Sequence, residues 1–168
     1  QHSLDKNVPI QHITSIVGEI NLAITTRAIE LAIEKIGTPP PTQFAWMNMG
    51  SQGRKEQLLM TDQDNAIVFE DVPEEQYDTV KQYYIELAEK VTKTLNKVGY
   101  IYCPAGMMAS NPLWCKSVTD WQNQFKGWIN TPGEKGILHC TIFFDYDFVY
   151  GSEALVDAIT KTIHEESN

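Results

Sequence analysis

The stretch from Gly50 to Phe69 constrains this chain more than any other. It reads Gly-Ser-Gln-Gly-Arg-Lys-Glu-Gln-Leu-Leu-Met-Thr-Asp-Gln-Asp and then runs into Asn-Ala-Ile-Val-Phe. Before it, Gln43 to Met49 alternates loosely through Phe44 and Trp46, as a strand does. The pattern therefore predicts a strand, a glycine turn, a short helix over 54–60 and a second strand over 62–69. Each piece has its own physics. Glycines let backbone N–H groups approach anionic oxygens closely, and a helix N-terminus adds the positive end of its dipole there. Residues i and i+2 of a strand share a face, so a continuous strand would bring Asp62 and Asp64 together. Hard carboxylate oxygens in twos and threes suit Mg²⁺. Alone, Gly-Ser-x-Gly is a turn and Asp-x-Asp a solvated strand end. In this order they point to chemistry, because carboxylates clustered ahead of an apolar strand repel one another unless a cation sits between them.

The rest of the chain surrounds that unit with helices. Residues 9–36 read as an N-terminal helix stopped by Gly37-Thr38-Pro39-Pro40-Pro41. It carries one stripe of Ile13, Ile16, Val17, Ile20, Ile24 and Leu31, and a second, nearly opposite, of Leu22, Ile29, Ile33 and Ile36. Its C-terminal half is accordingly expected to be covered on both sides, with the first turns exposed or set against a partner. Tyr77, Val80, Tyr84, Leu87, Val91, Leu95 and Val98 step by three and four along a long helix closed by Gly99. A short strand over 100–103 and a loop over 104–112 follow. Val118, Trp121, Phe125 and Trp128 mark a further helix with Ser117 as N-cap and Thr131-Pro132-Gly133 as its stop. Residues 137–144 form the most strand-like segment, and Gly151-Ser152 opens a last helix. Helices interleaved with three or four strands give an α+β chain, α/β-like in order, with a small mixed sheet flanked by helices.

Charge narrows the function classes. With 13 basic and 22 acidic residues the net charge is −9, which opposes tight binding to a long nucleic-acid backbone. A single nucleotide remains compatible, since a divalent cation would neutralise its phosphates locally. No run approaches the about 18 apolar residues of a membrane span. Cys103, Cys115 and Cys140 make no CxxC pair, so neither a disulfide framework nor a zinc site is indicated, and a reducing cytoplasm fits. The 168 residues suit one domain. With no Met at position 1, the expectation is a domain excised from a longer multidomain protein.

The run "GSQGRKEQLLMTDQDNAIVFED" resembles the nucleotidyltransferase superfamily of the DNA polymerase β type. More closely, it is similar to the DUF294 nucleotidyltransferase family, related to the uridylyltransferase that modifies the PII signalling protein. The resemblance continues through "GMMASNPLWCKSVTDWQNQFKGWI" and "TIFFDYDFVYG". It implies a nucleotidyltransferase fold that transfers an NMP from an NTP to a hydroxyl of an acceptor, protein or small molecule, in a signal-transduction protein. Upstream cyclic-nucleotide-binding and CBS domains are common in the family, and a homodimer is compatible. A catalytically idle nucleotide-sensing module is the alternative.

Residue by residue, the resemblance implies that Gly50 and Ser51 hold the NTP phosphates and Arg54 clamps them. Asp62 and Asp64 would hold Mg²⁺ (or Mn²⁺), with Glu56 in support. A polymerase-β-like site takes a further Asp from a neighbouring strand, and two candidates stand in Asp145-Tyr146-Asp147. Alternation puts both on one side and cannot choose between them. Related sequences read like Phe-Phe-Asp-x-Arg here, which aligns Asp145 with the recurring Asp, as third ligand or base, and leaves Asp147 where a basic residue is common. Trp114 and Lys116, beside the Asn111-Pro112 loop, are candidates for a supporting part. Trp121, Trp128 and His139 read as packing residues.

Overall fold

The computed structural model describes residues 10–49, 62–131 and 146–167, with the backbone alone for residues 10–15, 62 and 167. At its centre lies β1, Phe44–Asn48, all five residues buried. Alternation sends Phe44 and Trp46 into one apolar cluster and Ala45 and Met47 into another, with Met49 continuing the second. A strand buried on both faces needs cover on both, and the chain supplies helices above and below.

On one side of β1 lies β3, Asn65–Phe69, antiparallel, with Phe44 opposite Phe69 and Asn48 opposite Asn65. On the other lies β6, Asp147–Gly151, also antiparallel, with Asn48 opposite Asp147 and an irregularity between Trp46 and Met47. A short β5, Cys115–Ser117, runs parallel to β3 and gives the order β5-β3-β1-β6. A separate two-residue parallel ladder joins β2, Asp62–Gln63, to β4, Ile101–Tyr102. The result is the mixed-sheet α+β fold expected from the nucleotidyltransferase resemblance.

The first face of the sheet is covered by α1, Ile10–Ile36, and α2, Glu74–Lys97. Helix α2 inserts Val80, Tyr84, Leu87, Val91 and Leu95 of the stripe read from the sequence, together with Ala88, whereas Val98 of that stripe lies past the helix end and is exposed. It ends as that reading requires. Gly99 has φ +114°, its N–H donates to the Asn96 carbonyl, and the Tyr100 N–H reaches back to Leu95. The opposite face is covered by α3, Val118–Asn130, and α4, Glu153–Ser167. The Ser117 hydroxyl caps α3 by accepting from the Asp120 N–H. Trp121 is fully buried and donates its indole N–H to the Ile67 carbonyl, so it is a core residue.

Two expectations need correction. Residues 62–69 are not one strand: β2 and β3 belong to different sheets, and the break falls at Asp64. Gln63 is fully buried and donates its side-chain amide to the Thr92 carbonyl of α2, which draws this end of the segment away from β1. Among the described residues, helix α1 is covered on one side only. Thr25, Ala28, Ile29 and Ala32 are buried against the core, while Ile24 and Leu31 stay 36% and 42% exposed. Residues 147–151 form a further strand, and Gly151, with φ +98° and close to the Phe44 carbonyl, leads with Ser152 into α4 as expected. The helix over 54–60 and the strand over 137–144, with His139, lie outside the described residues. None of the described helices is long and apolar enough to cross a membrane.

Candidate active site

The strand register gathers three chain segments at one end of the sheet. β1 finishes there, and the next residues are Met49 and Gly50. The Met49 N–H donates to the Asp64 carbonyl at 2.8 Å, so Asp64 sits beside the residue that precedes Gly50 in the chain. Across β1, Asp147 pairs with Asn48. Asp64 at the head of β3 and Asp147 at the head of β6 therefore flank the C-terminal end of β1.

Asp64 is held from behind. Its side chain is mostly removed from solvent, at 8% exposure, a costly position for a carboxylate without donors or a cation. The Cys103 thiol hydrogen-bonds to it, and burial together with that bond pushes the thiol's pKa up. The next residue pins the loop that carries Cys103. The Asn65 N–H donates to the Met107 carbonyl at 2.9 Å, and Asn65 Oδ1 accepts from the Ala109 N–H at 2.7 Å. Within the loop, Asn111 Nδ2 donates to the Gly106 carbonyl and Asn111 Oδ1 accepts from the Leu113 N–H. Gly106 takes φ +73°, a conformation that side chains disfavour. Residues 103–111 thus form a braced collar over the start of β3.

A cleft of about 420 Å³ opens beside this end of the sheet, lined by Glu19, Asn21 and Leu22 of α1 and by Asn48, Asp147 and Val149. Asn21 accepts from the Tyr100 hydroxyl at 2.6 Å, and Asn48 from the Trp46 indole at 3.3 Å. Both amides are oriented by aromatic donors.

The other expected site residues fall differently. The backbone of Asp62 lies in β2, opposite Ile101. Because β2 and β3 are separate, simple alternation does not carry a shared face with Asp64. Gly50, Ser51, Arg54, Glu56 and Asp145 lie outside the described residues. Among the described residues, no group of three or more His, Cys, Asp or Glu side chains is arranged to hold a metal. Trp114 is buried in a ring cluster, 5.9 Å from Trp121 and 6.1 Å from Trp128. Lys116 is opposite Val68, four residues along β3 from Asp64 and so about 13 Å away. Its ammonium lies 5.3 Å from the Trp121 ring centre and donates to Gln124 at 2.9 Å. Burial, then the charge of Lys81, lowers its pKa. The register therefore sets Lys116 away from Asp64. Sequence reasoning passed over Cys103 and Asn65, although a polar Asn inside an apolar strand is the signal of a buried side chain with a fixed partner.

A family model described as "Putative nucleotidyltransferase DUF294" matches residues 1–135. The chain belongs to the DUF294 family. No curated protein shows a significant match to it. In this DUF294 chain the matched span takes in β1, Gly50, Ser51, Asp62, Asp64 and the collar. Nucleotidyl transfer is the general activity that the family's description supports, with an NTP as substrate.

Proposed function

We propose that the chain is a metal-dependent nucleotidyltransferase that moves an NMP from an NTP to a hydroxyl of an acceptor. One observation carries this reading. Asp64 is bonded to Met49, so a buried carboxylate stands at the end of the strand that leads into Gly50-Ser51. A carboxylate close to that point of the chain supports reading Gly50-Ser51 and Asp-x-Asp as parts of one site.

In this reading Gly50 and Ser51 hold the triphosphate, Arg54 clamps it and Glu56 steadies Arg54. Asp62, Asp64 and Asp145 hold Mg²⁺ or Mn²⁺, a hard-oxygen set that suits either ion. Asp145 lies beyond the residues matched by the family model and is assigned from its place in "TIFFDYDFVYG". Bound divalent metal would lower the pKa of the acceptor hydroxyl and neutralise the departing pyrophosphate. The acceptor oxygen bonds to the α-phosphorus while the bond from that phosphorus to the pyrophosphate breaks. The hydroxyl proton passes to a site carboxylate, for which Asp145 is the candidate. Positioning and charge neutralisation supply most of the rate. The cleft between α1 and β6 opens on the same end of the sheet and is the candidate place for the acceptor, whether a protein side chain or a small molecule. A protein acceptor, a signalling role, attached CBS domains and a cytoplasmic setting belong to this proposal.

The test is incubation of the protein with each α-labelled NTP and Mg²⁺, with and without cell extract. A labelled product with release of pyrophosphate supports transfer. Tight NTP binding with no product under every condition would favour the nucleotide-sensing module.

A further inference from the structure

Strand β5 stands at one end of the strand order, with α2 on one face of the sheet and α3 on the other. Beside it opens a cavity of about 490 Å³, lined by Tyr77 and Lys81 of α2, Lys116 of β5, and Asp120, Asn123 and Gln124 of α3. The Tyr77 hydroxyl donates to Asp120 and accepts from the Ser117 N–H, which ties the three elements together. The Lys116 ammonium lies 5.3 Å from the Trp121 ring centre and donates to Gln124 Oε1 at 2.9 Å. That bond engages the oxygen of Gln124 and leaves its amide N–H donors for the cavity. The Lys81 ammonium lies 6.0 Å from the Tyr77 ring centre. Both lysines are half-buried, and among the described residues neither forms an ion pair, whereas Arg27 and Lys90 do. Burial, then the charge of Lys81, lowers the Lys116 pKa, and Asp120 offsets this only in part. Two neighbouring, half-buried cations without a paired carboxylate are costly in the absence of an anion. In a chain of net charge −9 they are also a local exception.

We propose that this cavity binds the phosphate group of a small molecule, at a site separate from the one proposed for transfer. Lys116 stands opposite Val68, toward the end of β3 remote from Asp64. Donors on a helix, a strand and a second helix line one cavity, which suits a ligand with oxygens on several sides. A tetrahedral phosphate has them, and its charge of nearly −2 at neutral pH balances two ammonium groups, which bind phosphate as point charges. A carboxylate is planar and carries a single charge, so it matches this set less well. The ring of Tyr77, with Pro112 and the 66% exposed Leu113, adds an apolar wall for an organic substituent. The volume is that of an ordinary small-molecule site.

The test is a nuclear magnetic resonance titration with inorganic phosphate and with phenyl phosphate, in EDTA so that no divalent metal can hold a phosphate at the transfer site. Saturable shifts are expected at the Gln124 side-chain amide and the Trp121 indole N–H, with Met49 and Asp64 unmoved. Lys81→Gln and Lys116→Gln should each weaken binding by about tenfold or more, as loss of a charge-assisted hydrogen bond does. Lys126→Gln removes the same charge from an exposed position of α3 outside the cavity and should leave affinity unchanged. Lys81→Gln keeps the test decisive should Lys116→Gln disturb the packing around Trp121. Tighter binding of phenyl phosphate assigns an organic phosphate and equal binding the free ion; either supports the site. Failure to saturate, shifts scattered over the surface, an equal loss in Lys126→Gln, or acetate binding as tightly as phosphate would overturn it. None of these readouts depends on nucleotidyl transfer or on metal, so the two proposals fail separately.

Discussion

Met49 and Asp64 are joined by a backbone hydrogen bond of 2.8 Å, from the Met49 N–H to the Asp64 carbonyl. The bond ties the residue before Gly50 to the second Asp of Asp-x-Asp. Any shift of β3 along β1 would break it and separate the two halves of the proposed site. Registry of the central strands therefore sets site geometry.

Asp64→Asn should abolish transfer and leave the fold intact. Asn keeps the shape and one acceptor oxygen for the Cys103 thiol but loses the charge that holds a cation. Turnover should fall by roughly 10³-fold or more. The melting temperature of the metal-free protein should stay level or rise, since a charge that is mostly removed from solvent is taken away. A loss of several degrees in thermal melts would make Asp64 a structural partner instead.

NTP affinity should depend strongly on divalent metal. A chain of net charge −9 with a carboxylate at the site repels a triphosphate until a cation intervenes. Calorimetry in Mg²⁺ and in EDTA measures this directly. Equal affinity in the two would remove the metal from the proposal.

Asn65→Ala should loosen the collar without touching a proposed ligand. It leaves the buried Ala109 N–H without its 2.7 Å acceptor, and an orphaned buried donor costs about 1–3 kcal/mol. Urea denaturation should show that loss, and hydrogen exchange at Ala109 should accelerate. Unchanged exchange there would mean that the collar is held by other bonds.

Stability should fall at alkaline pH. Burial pushes the Cys115 thiol up to about 12 from 9.0, and burial does the same to the Tyr84 hydroxyl, from 10.0 to about 12. Both folded values exceed the unfolded ones. The contribution is therefore whole below pH 9 and is lost as pH rises toward 12, because the unfolded chain ionises first. Lys116 acts in the opposite sense, its lowered value relieving a penalty as pH rises toward 10.5. Cys103, its thiol also raised by burial and by its bond to Asp64, adds to the same downward slope. Melting temperatures across that interval should fall less steeply for Cys115→Ala than for the unsubstituted chain.

The α2 stripe, the Gly99 stop and the Ser117 cap were legible in the sequence because each depends on neighbours within a few residues. The break at Asp64 was not, since it rests on Gln63 meeting Thr92 of α2, a partner 29 residues away. The strand β6 was hidden for a similar reason. Asp-Phe-Val-Tyr-Gly ends in a glycine that reads as a helix boundary, and only the approach of Phe44 shows why glycine is required. Asp64 could be named from Asp-x-Asp, yet Cys103 could not, because its role comes from a collar whose position Asn65 sets. Helix α1 shows its two stripes plainly in sequence. Which stripe meets the core depends on where β1 and α2 lie, which no local pattern contains.

The last prediction separates Asp145 from Asp147. Asp147 stands opposite Asn48, is exposed, and lines the cleft with Glu19 and Asn21 of α1. Asp145 precedes it by two residues, so a strand extended past Asp147 would carry it on the same face, toward Met49 and Gly50. A carboxylate that serves the acceptor hydroxyl belongs beside that turn, whereas one along the cleft can only touch the acceptor. Asp145→Asn should therefore lower kcat by roughly 10³-fold or more while largely sparing NTP affinity, because Asp62, Asp64 and Arg54 remain. Asp147→Asn should change KM for the acceptor by about tenfold or less and leave kcat within a few-fold, as loss of one hydrogen bond made equally in ground and transition states does. Steady-state kinetics on both variants, with NTP binding measured separately, decides between the two. A collapse of kcat in Asp147→Asn with a nearly normal Asp145→Asn would exchange their roles and move the proposed third ligand to the cleft.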